Sequence, residues 1–335
     1  METLLQLVDG AQHILITAHV NPDGDAIGSS LALKHWLARR GKQAEVVVPN
    51  LFPDFLRWIP GAQDVRVYLK HEEQVRPLIA EADLVIVADM NCPSRYREME
   101  EAVMANPAPR IMFDHHLDPA EGFCQLTVSH PEMCATAEVL THLFWQMGVM
   151  EQLSLEEATC LYAGMMCDTG AFTYASGRPV IYECISHLLA RGIDKDRIYR
   201  KVYFTASHAR LRLQGYLLYV KLEVDKERHV CIMSLTNEER KRFRVKNGDT
   251  EGMVNIPLQI HKTKLSIFLT EDTEVPGLIK VSLRSVDDFP CNRMAEEFFE
   301  GGGHLNASGG RVQGTMEEAL AVVHRAIEAY APLLS

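Results

Sequence analysis

The segment 13–25, HILITAHVNPDGD, decides how we interpret the first half of the chain. Its start is mostly apolar and leads to His19, a pattern typical of a buried strand that stops at a polar residue. The proline and glycine that follow force a turn, which allows His19, Asp23 and Asp25 to point into one small volume. We therefore expect a strand whose carboxyl end carries acid and imidazole groups.

Short apolar strands alternate with helices through the rest of the first half, as in a largely parallel α/β sheet. A helix is expected over 25–40, because Gly41 is a suitable residue to end it. The segments 83–89 (DLVIVAD) and 110–115 (RIMFDH) are typical of buried strands. Further strands are predicted over 44–49 and 65–68, and further helices over 135–147, 155–166 and 181–190.

The second half repeats the pattern on a smaller scale after a charged helical stretch over 194–219. The sequence of this half predicts strands near 229–235, 264–270 and 278–286, a glycine-rich loop and a final helix over 317–330. The sequence therefore predicts the α/β class, with a mainly parallel sheet and flanking helices in the first domain and an α+β arrangement in the second. The predicted divisions are an N-terminal domain over 1–192, a helical linker over 193–222 and a C-terminal domain over 223–335.

Length and composition indicate a globular protein. The 335 residues suit two domains, and 47% of them are hydrophobic and 24% charged. No apolar run approaches the ~20 residues of a membrane-spanning helix, and the N-terminal segment lacks a basic leader. The eight cysteines are scattered without a C-x-x-C pair, which favours reduced thiols. We expect a cytoplasmic protein with no membrane partner.

The formal net charge of −11 restricts the substrates that the protein can bind. A protein that grips long nucleic acid needs a basic surface that neutralises many phosphates. Acidic residues outnumber basic ones by 45 to 34, and the densest basic cluster, over 241–246, is more typical of a solvated helix end. We expect no binding of long duplex nucleic acid, so a nucleic-acid substrate should be short.

Three predicted strands end in residues of the types that bind metals. His19 ends the first, Asp89 ends another, and Asp114, His115 and His116 follow one another at the end of the third. Because ligands bind beyond the carboxyl ends of parallel strands, we expect these side chains at one edge of the sheet. Carboxylates buried together need a cation, and mixed Asp and His ligands suit ions such as Mn²⁺. The number of ligands suggests two ions, since one aspartate can bridge them.

Each of these features also has a structural explanation. Asp-Gly pairs are common in turns, a strand-terminal aspartate often caps the next helix, and Asp168 follows a helix that it could simply end. An adjacent pair of histidines is weak evidence by itself. The joint appearance of these features, in this order and at strand ends, makes coincidence the weaker explanation.

Taken together, the motifs resemble those of the DHH phosphoesterase superfamily. The matching residues are HVNPDGDAIGS over 19–29, then Asp89, Asp114-His115-His116 and Asp168. In the second half, GGGH over 301–304 and NASGG over 306–310 are similar to the glycine-rich signature of DHHA1 substrate-binding domains. The length and layout resemble the NrnA-like group of oligoribonucleases and pAp phosphatases.

The resemblance implies two divalent metal ions that share one ligand. The implied ligands are His19, Asp23 and Asp89 for one ion, and Asp25, Asp89, His115 and Asp168 for the other. Catalytic roles are implied for Asp89, Asp114 and His116, with His116 facing the scissile phosphate. Arg95 could supply positive charge near the metals or lie on a solvated helix. We expect Mn²⁺, with Mg²⁺ and Co²⁺ as alternatives.

The glycine-rich stretch of the second domain predicts a substrate site. Gly302 and Gly303 permit close backbone approach to a phosphate, and His304 has little packing role among glycines. The structural alternative is a tight connection between two elements. Arg284 and Ser285 end a predicted strand, and the resemblance implies that they help to hold a terminal phosphate, which matches the planar guanidinium.

We therefore expect a metal-dependent phosphoesterase that cleaves short oligoribonucleotides and linear dinucleotides such as pApA to mononucleotides, using metal-activated hydroxide. Removal of the 3′-phosphate of pAp would be a second activity. A cyclic-dinucleotide phosphodiesterase is an alternative that shares both domains. A homodimer is compatible with the sequence.

Three further alternatives fit less well. A family II inorganic pyrophosphatase is disfavoured by the GGGH motif at 301–304, and a RecJ-like exonuclease is disfavoured by the acidic net charge. A catalytically inert nucleotide sensor would be expected to lack a metal ligand, and each implied ligand is present.

Overall fold

The computed structural model describes residues 2–246 and 248–334. They form two compact units, one ending at Thr205 and the other starting at Ala206. This boundary lies within the segment 193–222, whose role as a linker remains a prediction. Each unit has its own hydrophobic core and is described by itself.

The first unit is built on a parallel sheet. Its described strands are β1 (His13–Thr17), β2 (Gln43–Val48), β3 (Arg66–Val67), β4 (Leu84–Ala88), β5 (Arg110–Asp114) and β6 (Leu126–Ser129). They lie in the order β3-β2-β1-β4-β5-β6, and all five pairings between neighbours in this described sheet are parallel. From β1 the chain adds β2 and β3 on one side and then β4, β5 and β6 on the other, so the strand order reverses between β1 and β4. Open α/β sheets bind ligands at this type of position.

Helices cover both faces of this sheet. They are α1 (Glu2–Gly10), α2 (Gly24–Arg39), α3 (Glu72–Glu81), α4 (Glu100–Ala105), α5 (Thr136–Gln146), α6 (Leu155–Asp168), α7 (Pro179–Ala190) and α8 (Lys195–Tyr203). Successive residues of β1 face opposite sides, so that Ile14 and Ile16 join the core with α2, α5 and α6, while Leu15 joins the core with α3 and α4. Burial on both faces explains why these strands are continuous apolar runs.

The second unit is a mixed α+β structure. Its described strands are β7 (Glu223–Asp225), β8 (Val230–Leu235), β9 (Leu265–Glu271), β10 (Leu278–Ser285), β11 (Gly302–His304) and β12 (Ala307–Gln313), in the order β11-β12-β10-β9-β8-β7. Among them β8 and β9 pair in parallel, and the other described pairs are antiparallel. Its helices are α9 (His208–Tyr216), α10 (Asn237–Phe243), α11 (Cys291–Phe298), α12 (Met316–Ala329) and α13 (Ala331–Leu334).

The predicted fold class is confirmed, but several elements differ from the prediction. The glycine-rich stretch predicted as a loop forms the β11–β12 hairpin, whose strand character is hidden because glycines show no alternation of side chains. The predicted charged helix over 194–219 is two helices, because Ser207 caps the start of α9. The pattern analysis missed α1, α3, α4, α10, α11, α13, β6 and β7, most of which are short or polar.

Glycines allow α2 and α6 to lie unusually close together. A Cβ atom on Gly28 of α2 would lie 2.6 Å from the carbonyl oxygen of Cys160 and 3.0 Å from the backbone nitrogen of Gly164, both on α6. Backbone atoms cannot move aside as a flexible side chain can. The contact therefore fixes the spacing of the helix that begins beside Asp23 and the helix that ends at Asp168.

We expect Gly28→Ala to destabilise the first unit. The added methyl group would force α2 and α6 apart at a cost of about 1–3 kcal/mol, typical of overpacking. Thermal unfolding followed by circular dichroism measures the effect.

Gly215→Ala is the matched control, because a Cβ on this helical glycine of α9 would meet nothing within 4 Å. It is expected to leave stability unchanged or to raise it by about 0.5–1 kcal/mol through helix propensity. Equal midpoints for wild type and Gly28→Ala would show that the helix contact tolerates a side chain.

Candidate metal centre

The candidate centre lies where β1 and β4 end side by side. Asp89 follows β4 directly and adopts a left-handed backbone conformation, with φ of 60°. Such a conformation costs a non-glycine residue about 1–3 kcal/mol and is found most often at functional sites. The backbone N–H of Asp89 donates to the carbonyl of Phe113 on β5 at 2.9 Å, which anchors the turned residue. Its side chain is only 2% exposed.

One group of donor atoms consists of His19, Asp23 and Asp89, whose ligand atoms lie within 4.8 Å of one another. The Nδ1 of His19 lies 2.7 Å from the carbonyl oxygen of Val20, so Nδ1–H can donate and leave Nε2 for a metal. That Nε2 lies 3.4 Å from Oδ2 of Asp89.

Asp23 also has the structural role that the sequence allowed. Its Oδ1 accepts hydrogen bonds from the backbone N–H groups of Asp25 and Ala26, at 3.0 and 3.1 Å, and so caps α2. Capping holds the carboxylate in place beside His19. The two roles are therefore compatible, since a carboxylate oxygen has more than one lone pair.

A second group consists of Asp25, His115 and Asp168, again with ligand atoms within 4.8 Å of one another. The Nε2 of His115 lies 3.2 Å from Oδ2 of Asp168 and 3.5 Å from Oδ1 of Asp89. Its Nδ1 lies 3.3 Å from the carbonyl oxygen of Met133. Asp89 thus presents Oδ2 to the first group and Oδ1 to the second.

Asp114 and His116 form a hydrogen-bonded pair beside these groups. Asp114 is fully buried, and its Oδ1 lies 2.8 Å from Nδ1 of His116 while its Oδ2 accepts the His116 backbone N–H at 3.2 Å. The His116 Nδ1 is 3.7 Å from Oδ1 of Asp89, and His116 could also join His115 and Asp89 around an ion. Because Nδ1 faces Asp114, this bond orients the imidazole ring.

Shifted pKa values in the cluster indicate that its buried carboxylates favour a nearby positive charge. Burial, together with the neighbouring Asp89 and Asp168, raises the pKa of Asp25 well above its usual value. Burial likewise raises the pKa of Asp168 to about 6, against the hydrogen bond from His115 that lowers it. Both carboxylates therefore hold protons more readily than exposed ones do.

The histidines respond in the opposite way. Burial works to lower the pKa of His115, but its hydrogen bond to Asp168 and the surrounding carboxylates raise it to about 10. Burial also opposes a charge on His19, yet Asp89 and Asp23 raise its pKa as well. For Asp89 burial raises the pKa, and the hydrogen bond and charge of His19 outweigh this and lower it below its usual value.

These observations fit divalent metal ions. Without a cation, Asp25 and His115 both bind protons more tightly than exposed groups do. A divalent ion would supply the same positive charge, and the mixed oxygen and nitrogen donors suit ions such as Mn²⁺. The donor sets can therefore hold metal.

Arg95 lies beside this cluster in a 3₁₀ helix, Pro93–Met99. Its carbonyl accepts the backbone N–H of Val20 at 2.9 Å, and its positive charge works against protonation of His19. Its Nη1 is buried without a hydrogen-bond partner among the residues that the structure describes. The guanidinium therefore has a donor available for an anion.

Arg284 and Ser285 lie in the second unit, at the end of β10. The Nη1 of Arg284 donates to the Leu283 carbonyl at 2.8 Å, and burial lowers the pKa of the guanidinium. The buried Ser285 hydroxyl donates to the Phe289 carbonyl at 2.8 Å and lies 2.9 Å from Nδ2 of Asn306, which donates to it. Ser285 thus has a structural role within its loop, and its predicted substrate contact remains a prediction.

Gly302, Gly303 and His304 form strand β11, next to β12 and at the edge of the described sheet. A Cβ on Gly303 would lie 2.6 Å from the Ala307 carbonyl oxygen, so close packing within the hairpin requires this glycine. A Cβ on Gly302 would meet only the Glu296 side chain, at 3.8 Å. Internal packing therefore explains Gly303 but not Gly302. The His304 side chain is exposed.

The sequence analysis missed the start of α5 as part of the site. The backbone N–H groups of Thr136 and Ala137 donate to Oδ2 and Oδ1 of Asp25 at 2.6 and 2.9 Å. The Thr136 hydroxyl donates to Oδ1 of Asp89 at 3.0 Å. The sequence signal for this contact is a threonine at the start of a predicted helix, which is too common to indicate a site.

No helix within the described ranges has the length and apolar character needed to cross a bilayer. No disulfide links any of the described cysteines.

Comparison with known proteins identifies the family. The DHH family, N-terminal domain, matches residues 13–165, and the DHHA1 domain matches residues 228–329. A Thermus thermophilus protein named bifunctional oligoribonuclease and PAP phosphatase NrnA is 30% identical over 314 residues, covering 93% of this chain and 87% of that protein. The cyclic-di-AMP phosphodiesterase GdpP of Geobacillus thermodenitrificans is 26% identical, over 98% of this chain and 49% of GdpP.

A solved structure agrees with these matches. The crystal structure of an exopolyphosphatase-related protein from Bacteroides fragilis superposes with a TM-score of 0.96 at 51% identity, covering 99% of this chain and 96% of that one. The agreement extends over both units and both domain matches. The chain therefore belongs to the DHH/DHHA1 phosphoesterase family, NrnA-like in its domain arrangement, and is a hydrolase of phosphoester bonds.

Proposed function

We propose that the enzyme hydrolyses short oligoribonucleotides and linear dinucleotides such as pApA to mononucleotides, and that it also removes the 3′-phosphate of pAp. The observation that carries the proposal is the orientation of the Asp89 carboxylate, whose Oδ2 faces His19 and whose Oδ1 faces His115. A carboxylate in that position suits a bridge between two cations. The activities named for the Thermus thermophilus relative support the substrate class.

Two divalent ions, Mn²⁺ in our proposal, would be held by the two donor groups. The ligands would be His19, Asp23 and Asp89 for one ion, and Asp25, Asp89, His115 and Asp168 for the other. When bound, the ions would neutralise phosphoryl oxygens and make water a better nucleophile near neutral pH. Backbone hydrogen bonds on His19 and His115 hold both rings with Nε2 toward the carboxylates.

His116 is proposed to act on the substrate itself. Asp114 holds its Nδ1 and backbone N–H, which fixes the ring orientation. The Nε2 of His116 would then donate a hydrogen bond to the scissile phosphate or give a proton to the leaving oxygen. The available Nη1 of Arg95 would stabilise negative charge on the phosphate.

The second unit is proposed to bind the end of the substrate. Gly302 has no internal packing reason to lack a side chain, which is consistent with close approach of a ligand. Its neighbour His304 is exposed, and Arg284 would supply a charge-assisted bond to a terminal phosphate. This mode of binding requires few phosphate contacts and suits an acidic protein.

A cyclic-dinucleotide phosphodiesterase is the second candidate, because GdpP aligns with nearly the whole of this chain. The chain corresponds to 49% of GdpP, so that protein contains regions without a counterpart in the aligned part. We favour linear substrates because the Thermus thermophilus relative matches along most of its length. We place the enzyme in the cytoplasm, which the scattered and mostly buried cysteines favour.

We expect a hydrolysis panel with Mn²⁺ to favour pApA and RNA of two to about five nucleotides over RNA of about thirty, because a locally bound substrate gains little from additional phosphates. The panel should include pAp, cyclic di-AMP and pyrophosphate, with nucleotide products quantified by chromatography.

Asp89→Asn is the inactive control for this panel. It keeps the shape of the side chain but removes the shared charge, and should lower kcat/KM by at least about a hundredfold, or about 3 kcal/mol of transition-state stabilisation. Equal rates on the dinucleotide and on the long strand would contradict the proposed length preference, and an active Asp89→Asn would contradict the shared ligand.

Metal affinity should increase with pH. In the metal-free protein His115, with a pKa of about 10, is protonated at neutral pH, and Asp168, with a pKa of about 6, loses its proton between about pH 5 and 7. An ion must displace these protons, so binding should tighten by about tenfold per pH unit for each proton released. Calorimetric titration with Mn²⁺ at several pH values in this range checks the trend. A pH-independent affinity would place the ions elsewhere.

Arg284→Ala should reduce kcat/KM roughly ten- to a hundredfold on pApA, through loss of a charge-assisted contact worth about 1.5–3 kcal/mol. The loss should shrink on ApA, which has no terminal phosphate. Arg311→Ala is the matched control, because this arginine on β12 is exposed and pairs with Glu300 at 3.3 Å. Equal losses on pApA and ApA would mean that Arg284 acts only through its bonds within the domain.

A further inference from the structure

The start of α5 donates hydrogen bonds to two carboxylates of the candidate centre. Within this one helix turn, Thr136 and Ala137 donate backbone N–H bonds to both oxygens of Asp25, at 2.6 and 2.9 Å. The Thr136 hydroxyl, on a fully buried side chain, donates to Oδ1 of Asp89 at 3.0 Å. A single residue therefore contacts the two most deeply buried carboxylates among the proposed metal ligands.

The segment that carries Thr136 is itself held in place. The buried Glu138 accepts the backbone N–H of Cys134 at 2.7 Å through Oε2 and the Nη2 of Arg178 at 3.1 Å through Oε1. Arg178 also donates to the carbonyl of Glu132. The same segment offers its Met133 carbonyl to Nδ1 of His115. These bonds leave the helix start little freedom to rotate.

The Thr136 hydroxyl bond distinguishes the two oxygens of Asp89. It fixes Oδ1, which lies 3.5 Å from Nε2 of His115, and so leaves Oδ2 toward His19. If the carboxylate could rotate about its Cβ–Cγ bond, its two oxygens would no longer face His19 and His115 separately. Hydrogen bonds of this kind, from residues behind the ligands, commonly change metal affinity by about 10- to 100-fold.

We propose that Thr136 is a positioning residue that sets the orientation of Asp89 and, with the backbone of Ala137, of Asp25. It acts mainly on the ion held by Asp25, His115 and Asp168, because its hydroxyl meets the oxygen of Asp89 on that side. This inference rests on the proposed two-metal site. It concerns a residue that acts through the proposed ligands Asp25 and Asp89.

Thr136→Val tests the inference, because valine keeps the shape of the side chain and removes only the hydroxyl donor. We expect Mn²⁺ binding, followed by calorimetric titration and by electron paramagnetic resonance of the free ion, to show one site weakened by about 10- to 100-fold and the other changed by less than about threefold. Thr136→Ser, which restores a hydroxyl, should recover at least part of the lost affinity.

Thr141→Val is the matched control on the same helix. Thr141 is also fully buried, but its hydroxyl donates to the Ala137 carbonyl at 2.7 Å and not to a carboxylate. It should leave both Mn²⁺ affinities as in the wild type. Circular dichroism and thermal midpoints of the metal-free variants separate a loss of folding from a loss of metal.

The outcomes separate this inference from the proposed function. If Thr136→Val binds Mn²⁺ at both sites with wild-type affinity, the positioning role is overturned and the proposed function is not. An equal loss in Thr141→Val, or a loss that Thr136→Ser does not reduce, also overturns the positioning role, since the effect would then come from packing. A wild-type protein that binds no Mn²⁺ overturns both the inference and the proposed function. If Thr136→Val does not fold, Thr136→Ala, which also lacks the hydroxyl, takes its place: one weakened site that Thr136→Ser restores supports the positioning role, and unchanged affinities overturn it.

Discussion

The burial of several carboxylates at one edge of a sheet is the constraint on which the rest of this structure depends. Asp25 and Asp89 are almost completely removed from water, and Asp168 lies against them. Their mutual repulsion must be offset by protons, imidazolium groups or a bound cation. The strained backbone at Asp89, the capping role of Asp23 and the hydrogen bonds behind both histidines all serve to hold charged groups in one place.

Close packing of helices makes this concentration of charge feasible. Gly28 and Gly164 let α2 and α6 approach until backbone atoms touch, which brings the start of one helix and the end of the other to the same edge of the sheet. Gly164 also lies against the site, since a Cβ there would come within 2.8 Å of Oδ1 of Asp25. The helix contact and the candidate centre are therefore parts of one packing arrangement, with little tolerance for added volume.

Glycines are also required for close packing in the second unit, within the β11–β12 hairpin. Its glycine-rich hairpin needs Gly301, Gly303 and Gly310 because a side chain at any of them would strike the neighbouring backbone. Gly302 and Gly309 differ, because a Cβ at either would make only an ordinary contact, at 3.8 Å to Glu296 and 3.5 Å to the Val281 carbonyl oxygen. The glycine-rich motif thus combines positions where packing requires glycine with positions where it does not, and only the tertiary structure distinguishes the two.

The sequence by itself determined the fold class, and it predicted which residues gather at the candidate centre. Strand ends could be located from apolar runs, and parallel strands bring their carboxyl ends to one edge, so His19, Asp89 and His115 were expected to meet. Local rules of this kind do not extend to the hydrogen bonds from Thr136, whose partners Asp89 and Asp25 lie 47 and 111 residues away in the chain. Nor could they predict the β11–β12 hairpin, because glycines carry no side-chain pattern to mark a strand. Which oxygen of Asp89 faces which histidine, and what holds it there, was decided only by the tertiary structure, because that orientation results from helices and strands packing against one another rather than from any short stretch of sequence.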